Sequence, residues 1–139
     1  MINADNGPEN SGSRTQWLKR LVEFSAHWGT KIKLAYYPPY HSKYNPIERV
    51  FGVLENYWNG DPLRTVDKAL GMAAGMTYKG VHPVVQLVSQ EYPKGVTVNN
   101  RLRRIYEMAL CRKRKLEKWA ITIYPGVATM VCSLAESLE

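Results

Sequence analysis

Hydrophobic residues between positions 15 and 28 recur at helical spacing. Trp17, Leu21, Phe24 and Trp28 follow one another at steps of four, three and four. Steps of this size keep side chains on one face of an α-helix. The sequence therefore predicts a helix over Thr15–Trp28 that packs one face against a core.

A second apolar stripe begins after Asn45-Pro46. Asparagine is a favoured N-cap and proline a favoured first helical residue, so a helix is predicted from Pro46 to Trp58. Asn59-Gly60-Asp61-Pro62 then provides a stop. The stripe has helical periodicity, and its members are Ile47, Val50, Phe51, Leu54, Tyr57 and Trp58.

Two other segments alternate between apolar and polar residues, as a half-covered strand does. They are Lys31–Tyr37, with Ile32, Leu34 and Tyr36 on one face, and Trp119–Tyr124. Residues 1–4 are short and strand-like, and they run into a dense turn signal at positions 5–8.

The rest of the chain has weaker patterns. Helices are predicted over Val66–Met76, from His82-Pro83 to Val88, and over the basic segment Asn100–Lys118. No element is predicted for 126–139. The elements of the N-terminal half include one full strand and one strand end, which cannot form a stable sheet by themselves. The pattern is α/β, with sheet partners expected to precede Met1.

Composition excludes several classes of protein. Hydrophobic residues make up 45% of the 139 residues, which argues against a disordered chain. No apolar run reaches the roughly 18 residues of a membrane span, and the polar N-terminus is not a signal peptide, so a cytoplasmic location is expected. Cys111 and Cys132 stand alone, which argues against a zinc site or a disulfide scaffold.

The net charge of +7 is concentrated in one segment. Residues 101–118 hold eight basic residues against two acidic ones. Such a cluster favours a polyanionic partner, and a solvated helix face is the open alternative. The basic residues are Arg101, Arg103, Arg104, Arg112, Lys113, Arg114, Lys115 and Lys118.

Two carboxylates stand out by their positions. Asp5 follows the strand-like start, and ligands of α/β sheets bind at the carboxyl ends of strands. Glu48 lies in the first turn of the helix predicted from Pro46. Each has a structural alternative, because Asp5 can form an Asx turn and Glu48 stands three residues after the cap Asn45.

Longer strings of residues resemble one family. DNGPENSGSRTQWLKRLVEF and KLAYYPPYHSKYNPIERVFGVLENYWNG, with MTYKGVHPVVQLV, YPKGV and EKWAITIYP further on, resemble the Rhodopirellula-type transposases of bacterial insertion sequences. These belong with the mariner-like class of DDE transposases. The resemblance covers roughly residues 1–125.

The resemblance implies an RNase H-like fold and phosphoryl transfer on DNA. It makes Asp5 the second and Glu48 the third acidic residue of the metal site. Two Mg²⁺ or Mn²⁺ ions would bind these carboxylates and flank the scissile phosphate. Asn6, His41 and Asn45 are interpreted by adjacency as supporting or DNA-positioning residues. DNA is the implied partner, bound at the element ends and the target.

The chain also departs from the family pattern. The first aspartate is expected well upstream of Asp5, so residues 1–125 are interpreted as the C-terminal part of a DDE catalytic domain lacking its first strands. Residues 126–139 do not resemble the family. A truncated chain, inactive alone or completed by a homodimer or an N-terminal part, is expected. The alternatives are a non-catalytic basic nucleic-acid-binding protein and a small protein with only a structural role.

Overall fold

The computed structural model describes residues 1–38 and 45–138. The chain divides into two compact units. The sheet unit comprises Met1–His41 and Pro93–Glu139, and the helical unit comprises Ser42–Tyr92. The elements in chain order are β1 (Ile2–Ala4), α1 (Thr15–Trp28), β2 (Ile32–Tyr36), α2 (Pro46–Trp58), α3 (Val66–Gly75), α4 (Asn100–Glu107), β3 (Leu110–Arg112), β4 (Ala120–Ile123) and α5 (Pro125–Glu136).

A four-stranded mixed sheet forms the centre of the sheet unit, in the order β1-β2-β4-β3. β1 pairs with β2 in parallel, with Ile2 opposite Leu34. β4 is antiparallel to both of its neighbours, so that Ile123 lies between Ile32 of β2 and Leu110 of β3. The described fold is therefore mixed α/β.

Alternation along the strands determines which residues enter the core. In β2, Ile32, Leu34 and Tyr36 are buried while Lys33 is exposed. In β4, Ile121 and Ile123 are buried. A strand turns successive side chains to opposite faces, so one face of the sheet is covered by helices.

Three helices complete this core. α1 packs against α5 and α4, and α4 also packs against α5. α1 contributes Leu18, Leu21 and Val22, and its fully buried Ser25 donates a hydrogen bond to the Thr30 carbonyl at 2.7 Å. The remaining helical core residues are Leu102, Ile105, Tyr106, Ala128, Val131 and Ala135.

The helical unit has much less buried surface. α2 begins at the Asn45 cap and α3 at the Thr65 cap, and these two helices pack together. Among the described residues of this unit, Met76 is the one buried hydrophobic residue. The apolar stripe of α2 is therefore mostly half-buried or exposed.

Several sequence predictions are confirmed. The helices over Thr15–Trp28 and Pro46–Trp58 have the predicted bounds. The predicted core-facing stripe of α1 is wrong at Phe24 and Trp28, which are exposed, because the buried face runs through Leu18, Leu21, Val22 and Ser25. The strand predicted at Lys31–Tyr37 spans Ile32–Tyr36, and the one at Trp119–Tyr124 spans Ala120–Ile123. α3 ends one residue earlier than predicted, at Gly75.

The basic helix predicted over Asn100–Lys118 is wrong beyond Glu107. α4 ends there, and Leu110–Arg112 instead forms a strand against β4. The turn that follows includes Lys115 at a φ of 68°, a left-handed conformation incompatible with a continuous helix. Pairing with the free edge of β4 overrides the local helical preference.

Two further predictions fail. The short helix from His82-Pro83 to Val88 is absent, and residues 82–90 have no regular structure. No element was predicted for 126–139, yet α5 occupies Pro125–Glu136 and buries Ala128, Val131 and Ala135. In addition, the unpredicted β3 and the predicted β4 both lie downstream of α4 and pair in the sheet, whereas the sheet partners were expected to precede Met1.

α1, with 14 residues, is the longest helix among the described residues. Within residues 1–38 and 45–138, no helix combines the length and the apolar character needed to cross a membrane.

Candidate metal-binding carboxylates and a basic cleft

Asp5 stands directly after β1, at the carboxyl end of this parallel strand. Its Oδ1 accepts hydrogen bonds from the Gly7 N–H at 3.1 Å and from the Asn10 Nδ2 at 3.0 Å. These donors, with Asn10 the stronger influence, hold the pKa of the carboxyl below its ordinary value of 3.8. Asp5 is therefore an exposed carboxylate that is ionised at neutral pH.

The bond from Gly7 is the Asx turn that the sequence offered as a structural alternative. Asn6 extends the same turn, because its φ of 62° is left-handed and its Oδ1 accepts from the Gly12 N–H at 3.0 Å. Asparagine tolerates this conformation better than most residues. A structural role for these side chains is thus observed, and it leaves the Asp5 carboxylate exposed.

The loop from Asp5 to Arg14 is anchored to β2 through Tyr36. The Tyr36 hydroxyl donates to the Asn10 carbonyl at 2.6 Å and accepts from the Trp17 Nε1 at 3.2 Å. Burial raises the pKa of Tyr36, so the hydroxyl stays protonated as the donor. Asn10, which binds the Asp5 carboxylate, is therefore itself held in place by Tyr36 of the core.

A second anchor joins this loop to the far side of the sheet. The Arg112 guanidinium donates to the Gly12 carbonyl at 3.1 Å, to the Glu117 carbonyl at 3.0 Å and to the Glu107 carboxylate at 2.6 Å. Gly12 is buried here, and a Cβ on it would lie 3.1 Å from the Lys118 carbonyl oxygen. Arg112, predicted from sequence as a DNA contact, thus has three protein partners.

Glu48 lies in the helical unit, in the first turn of α2. Asn45 starts that turn: its side chain accepts from the Ile47 N–H at 3.5 Å and its carbonyl from the Glu48 N–H at 3.1 Å. Glu48 is exposed, and a carboxylate at this place also suits the positive end of the helix dipole. Asn45 is accounted for as a cap, and Glu48 lies exposed on the first turn that this cap begins.

The predicted site residues are therefore distributed over both units. Asp5 and Asn6 belong to the sheet unit, Glu48 and Asn45 belong to the helical unit, and His41 lies outside the described residues. Within residues 1–38 and 45–138, no group of three or more His, Cys, Asp or Glu residues is arranged to hold a metal ion.

The predicted basic residues are divided among three elements of the sheet unit. Arg101, Arg103 and Arg104 lie on α4, Arg112 lies on β3, and Lys113, Arg114 and Lys115 lie in the turn after β3. Some of them line a cleft of about 570 Å³. The residues that line the cleft are Asn6, Ser11, Gly12, Ser13, Arg103, Arg104, Glu107, Arg112, Glu117 and Lys118.

Sequence reasoning missed the residues that hold the Asp5 loop in place. Asn10, Gly12 and Tyr36 carry no local signal for this role, because their partners lie on other elements. Tyr36 was predicted to face inward with Ile32 and Leu34, which is confirmed, but alternation gives no information about its hydroxyl group.

A carboxylate fixed at a strand end, in the same unit as a basic cleft, defines a mixed α/β protein suited to a polyanionic ligand. The family comparison makes this specific: residues 1–125 match the model of the Rhodopirellula transposase DDE domain. The chain belongs to that family, which confirms the resemblance noted in its sequence. Membership indicates transposase function and DNA as the partner. Comparison with curated proteins and with solved structures gives no match.

Proposed function

We propose that this chain contributes two carboxylates, Asp5 and Glu48, to the metal site of a DDE transposase with an RNase H-like fold. Asp5 would be the second acidic residue of the site and Glu48 the third. The observation that carries the proposal is the placement of Asp5: an exposed carboxylate with a lowered pKa, at the end of a strand in a mixed sheet.

The donor chemistry of both residues fits Mg²⁺ or Mn²⁺. Carboxylate oxygens are the ligands that these ions prefer. Asp5 is anionic at neutral pH and keeps Oδ2 available, while its Oδ1 is oriented by Asn10 and Gly7. Glu48 adds an exposed carboxylate on the first turn of α2. A strand end and the capped first turn of a helix place metal ligands more precisely than loops do.

When bound, two such ions supply Lewis-acid stabilisation of the phosphate charge and activate the attacking oxygen during phosphoryl transfer. The protein's own contribution is orientation. Asn10 and Gly7 fix the Asp5 carboxylate, the Asn45 cap fixes the first turn of α2, and Asn6 shapes the loop next to Asp5. A role for His41 beside Glu48 stays a prediction.

Mn²⁺ titration tests the proposal. The chain should bind Mn²⁺, and Asp5→Asn and Glu48→Gln should each weaken binding about tenfold or more. Mutating a group that only hydrogen-bonds to a metal ligand already lowers metal affinity by about 10–100-fold, and these two substitutions change the ligands themselves. Glu9→Gln, in the same loop as Asp5, and Glu55→Gln, on the same helix as Glu48, are matched controls and should bind normally. Equal affinity in all four variants would reject the site.

Cleavage by the 139-residue chain itself is expected to be absent. Two carboxylates are fewer than the three that the DDE site uses. They would hold the two metal ions poorly. The chain should therefore show no Mg²⁺-dependent nicking of supercoiled DNA. Nicking that survives Glu48→Gln would contradict the proposed role of Glu48.

A second candidate is a DNA-binding protein without metal chemistry. The observation that favours it is the basic cleft beside Asn6. Salt-dependent DNA binding with no measurable Mn²⁺ affinity would support this candidate over the first.

A further inference from the structure

The cleft in the sheet unit has an unequal charge balance. Four basic and two acidic side chains line it. Of the acidic ones, Glu107 pairs with Arg112 at 2.6 Å, and Glu117 accepts from the Lys115 backbone N–H at 2.9 Å. A concave surface with an excess of one sign of charge focuses its field and concentrates counter-ions. The cleft therefore favours an anionic occupant.

Three of the four basic residues are available to that occupant. Arg103 and Arg104 on α4 and Lys118 before β4 are exposed. Within the described part of the chain, no carboxylate forms a salt bridge with any of them, whereas Glu107 pairs with Arg112. With Arg112 paired to Glu107, the charged side chains that remain in the lining are these three cations and Glu117, so the cleft keeps a net positive charge.

Arg112 behaves differently although it lines the same cleft. Its guanidinium joins the loop after Asp5, the end of α4 and the turn before β4 through three hydrogen bonds. The fork geometry of arginine suits several simultaneous acceptors. Its charge is balanced by Glu107, so its role is to hold the walls of the cleft together.

The wall formed by the loop begins next to the proposed metal ligand. Asn6 lines the cleft and follows Asp5 directly, and its side chain binds the Gly12 N–H. Gly12 in turn accepts the hydrogen bond from Arg112. A DNA strand lying in the cleft would therefore pass beside the loop that carries Asp5.

From these observations we propose that the cleft is a binding site for the DNA backbone, with Arg103, Arg104 and Lys118 contacting successive phosphates and Arg112 acting as a positioning residue. The proposal rests on the proposed function for the identity of the polyanion. It also separates the cleft residues from Lys113, Arg114 and Lys115, which do not line the cleft.

The test compares two variants that remove the same charge. The cleft variant is Arg103→Gln/Arg104→Gln/Lys118→Gln, and the turn variant is Lys113→Gln/Arg114→Gln/Lys115→Gln. Glutamine keeps helix propensity close to that of the basic residues. Fluorescence anisotropy with a labelled DNA duplex, measured in EDTA over a salt series, gives the slope of log affinity against log salt concentration.

The cleft variant should reduce the size of this slope by about 2 to 3, since each phosphate contact contributes about 0.9. The turn variant should reduce it by less than about one. An equal reduction in both variants, or a larger one in the turn variant, would overturn the proposal. If the cleft variant does not fold, Arg103→Gln and Lys118→Gln, one from each wall, should each lower the slope by about one.

The EDTA condition separates this inference from the metal-site proposal. Loss of the predicted slope difference while Mn²⁺ binding still depends on Asp5 and Glu48 would reject the cleft alone. A retained slope difference without Mn²⁺ binding would reject the metal site alone.

Discussion

The two units of the chain differ in how their hydrophobic residues are used. The sheet unit buries residues from its helices and from all of its strands in one core. The helical unit buries Met76 alone among its described hydrophobic residues, and leaves Phe51, Val66 and Val84 exposed. Burial of apolar area is the main favourable term in folding. The unit that contains Asp5 is therefore stabilised by its own core, whereas the unit that contains Glu48 is not.

Hydrogen exchange gives the largest expected contrast. Exchange free energies range from near zero in poorly packed segments to the global value in core strands. Amides of β2 and β4 should exchange at least about 100-fold more slowly than amides of α3. Mass spectrometry of peptides from each unit measures this. Equal protection of α3 and β4 would show that the helical unit is as stable as the sheet unit.

A core substitution sharpens the same contrast. Ile123 is fully buried between β2 and β3, so Ile123→Ala should lower the free energy of unfolding by about 2–5 kcal/mol. Val84 is 90% exposed, and Val84→Ala should change it by less than about 0.5 kcal/mol. Urea denaturation of both variants is the measurement, and similar losses would contradict the assignment of the core.

Arg112 offers a test of what holds the Asp5 loop. Arg112→Gln removes three hydrogen bonds in a partly exposed position and should cost about 1–2 kcal/mol. Arg101→Gln, on exposed α4 surface, should cost less than about 0.5 kcal/mol. Chemical denaturation measures both, and the Gly12 amide should shift in the Arg112 variant only. An unmoved Gly12 signal would show that Arg112 does not hold the loop.

The smallest effect concerns the protonation of Asp5. Hydrogen bonds from Asn10 and Gly7 lower its pKa, so the stability they add is present above the ordinary pKa and is lost as pH falls through the lowered one. Asn10→Ala should therefore raise the pKa of Asp5 towards 3.8. Carbon-detected NMR titration measures the shift, with Asn3→Ala as control. If neither substitution changes the pKa of Asp5, the hydrogen bond from Asn10 is not what lowers it.

The same contrast explains which elements the sequence could predict. α1 and α2 follow from apolar spacing within one segment, and their bounds are correct. β3 could not be found that way, because its three residues are a strand only in the presence of the edge of β4. α5 was missed because exposed Val127, Met130 and Leu134 hide the helical spacing of its buried Ala128, Val131 and Ala135.

The candidate site was predictable to a different degree. The positions of Asp5 and Glu48, at a strand end and in a first helical turn, were predicted from sequence and are observed. The anchors around Asp5 were not, since Arg112 and Gly12 are 100 positions apart and Tyr36 and Asn10 are 26 apart. Local patterns identify a carboxylate, and only the fold shows what orients it.

The most direct test of the central claim is whether one metal ion depends on carboxylates from both units. NMR spectra recorded with substoichiometric Mn²⁺ should show broadened amide signals at Gly7, near Asp5, and at Arg49, next to Glu48. Glu48→Gln should remove the broadening at Gly7, and Asp5→Asn should remove it at Arg49, while Glu55→Gln should leave both. If the Gly7 signal stays broadened in the Glu48→Gln variant and the Arg49 signal stays broadened in the Asp5→Asn variant, the two carboxylates do not share a metal site.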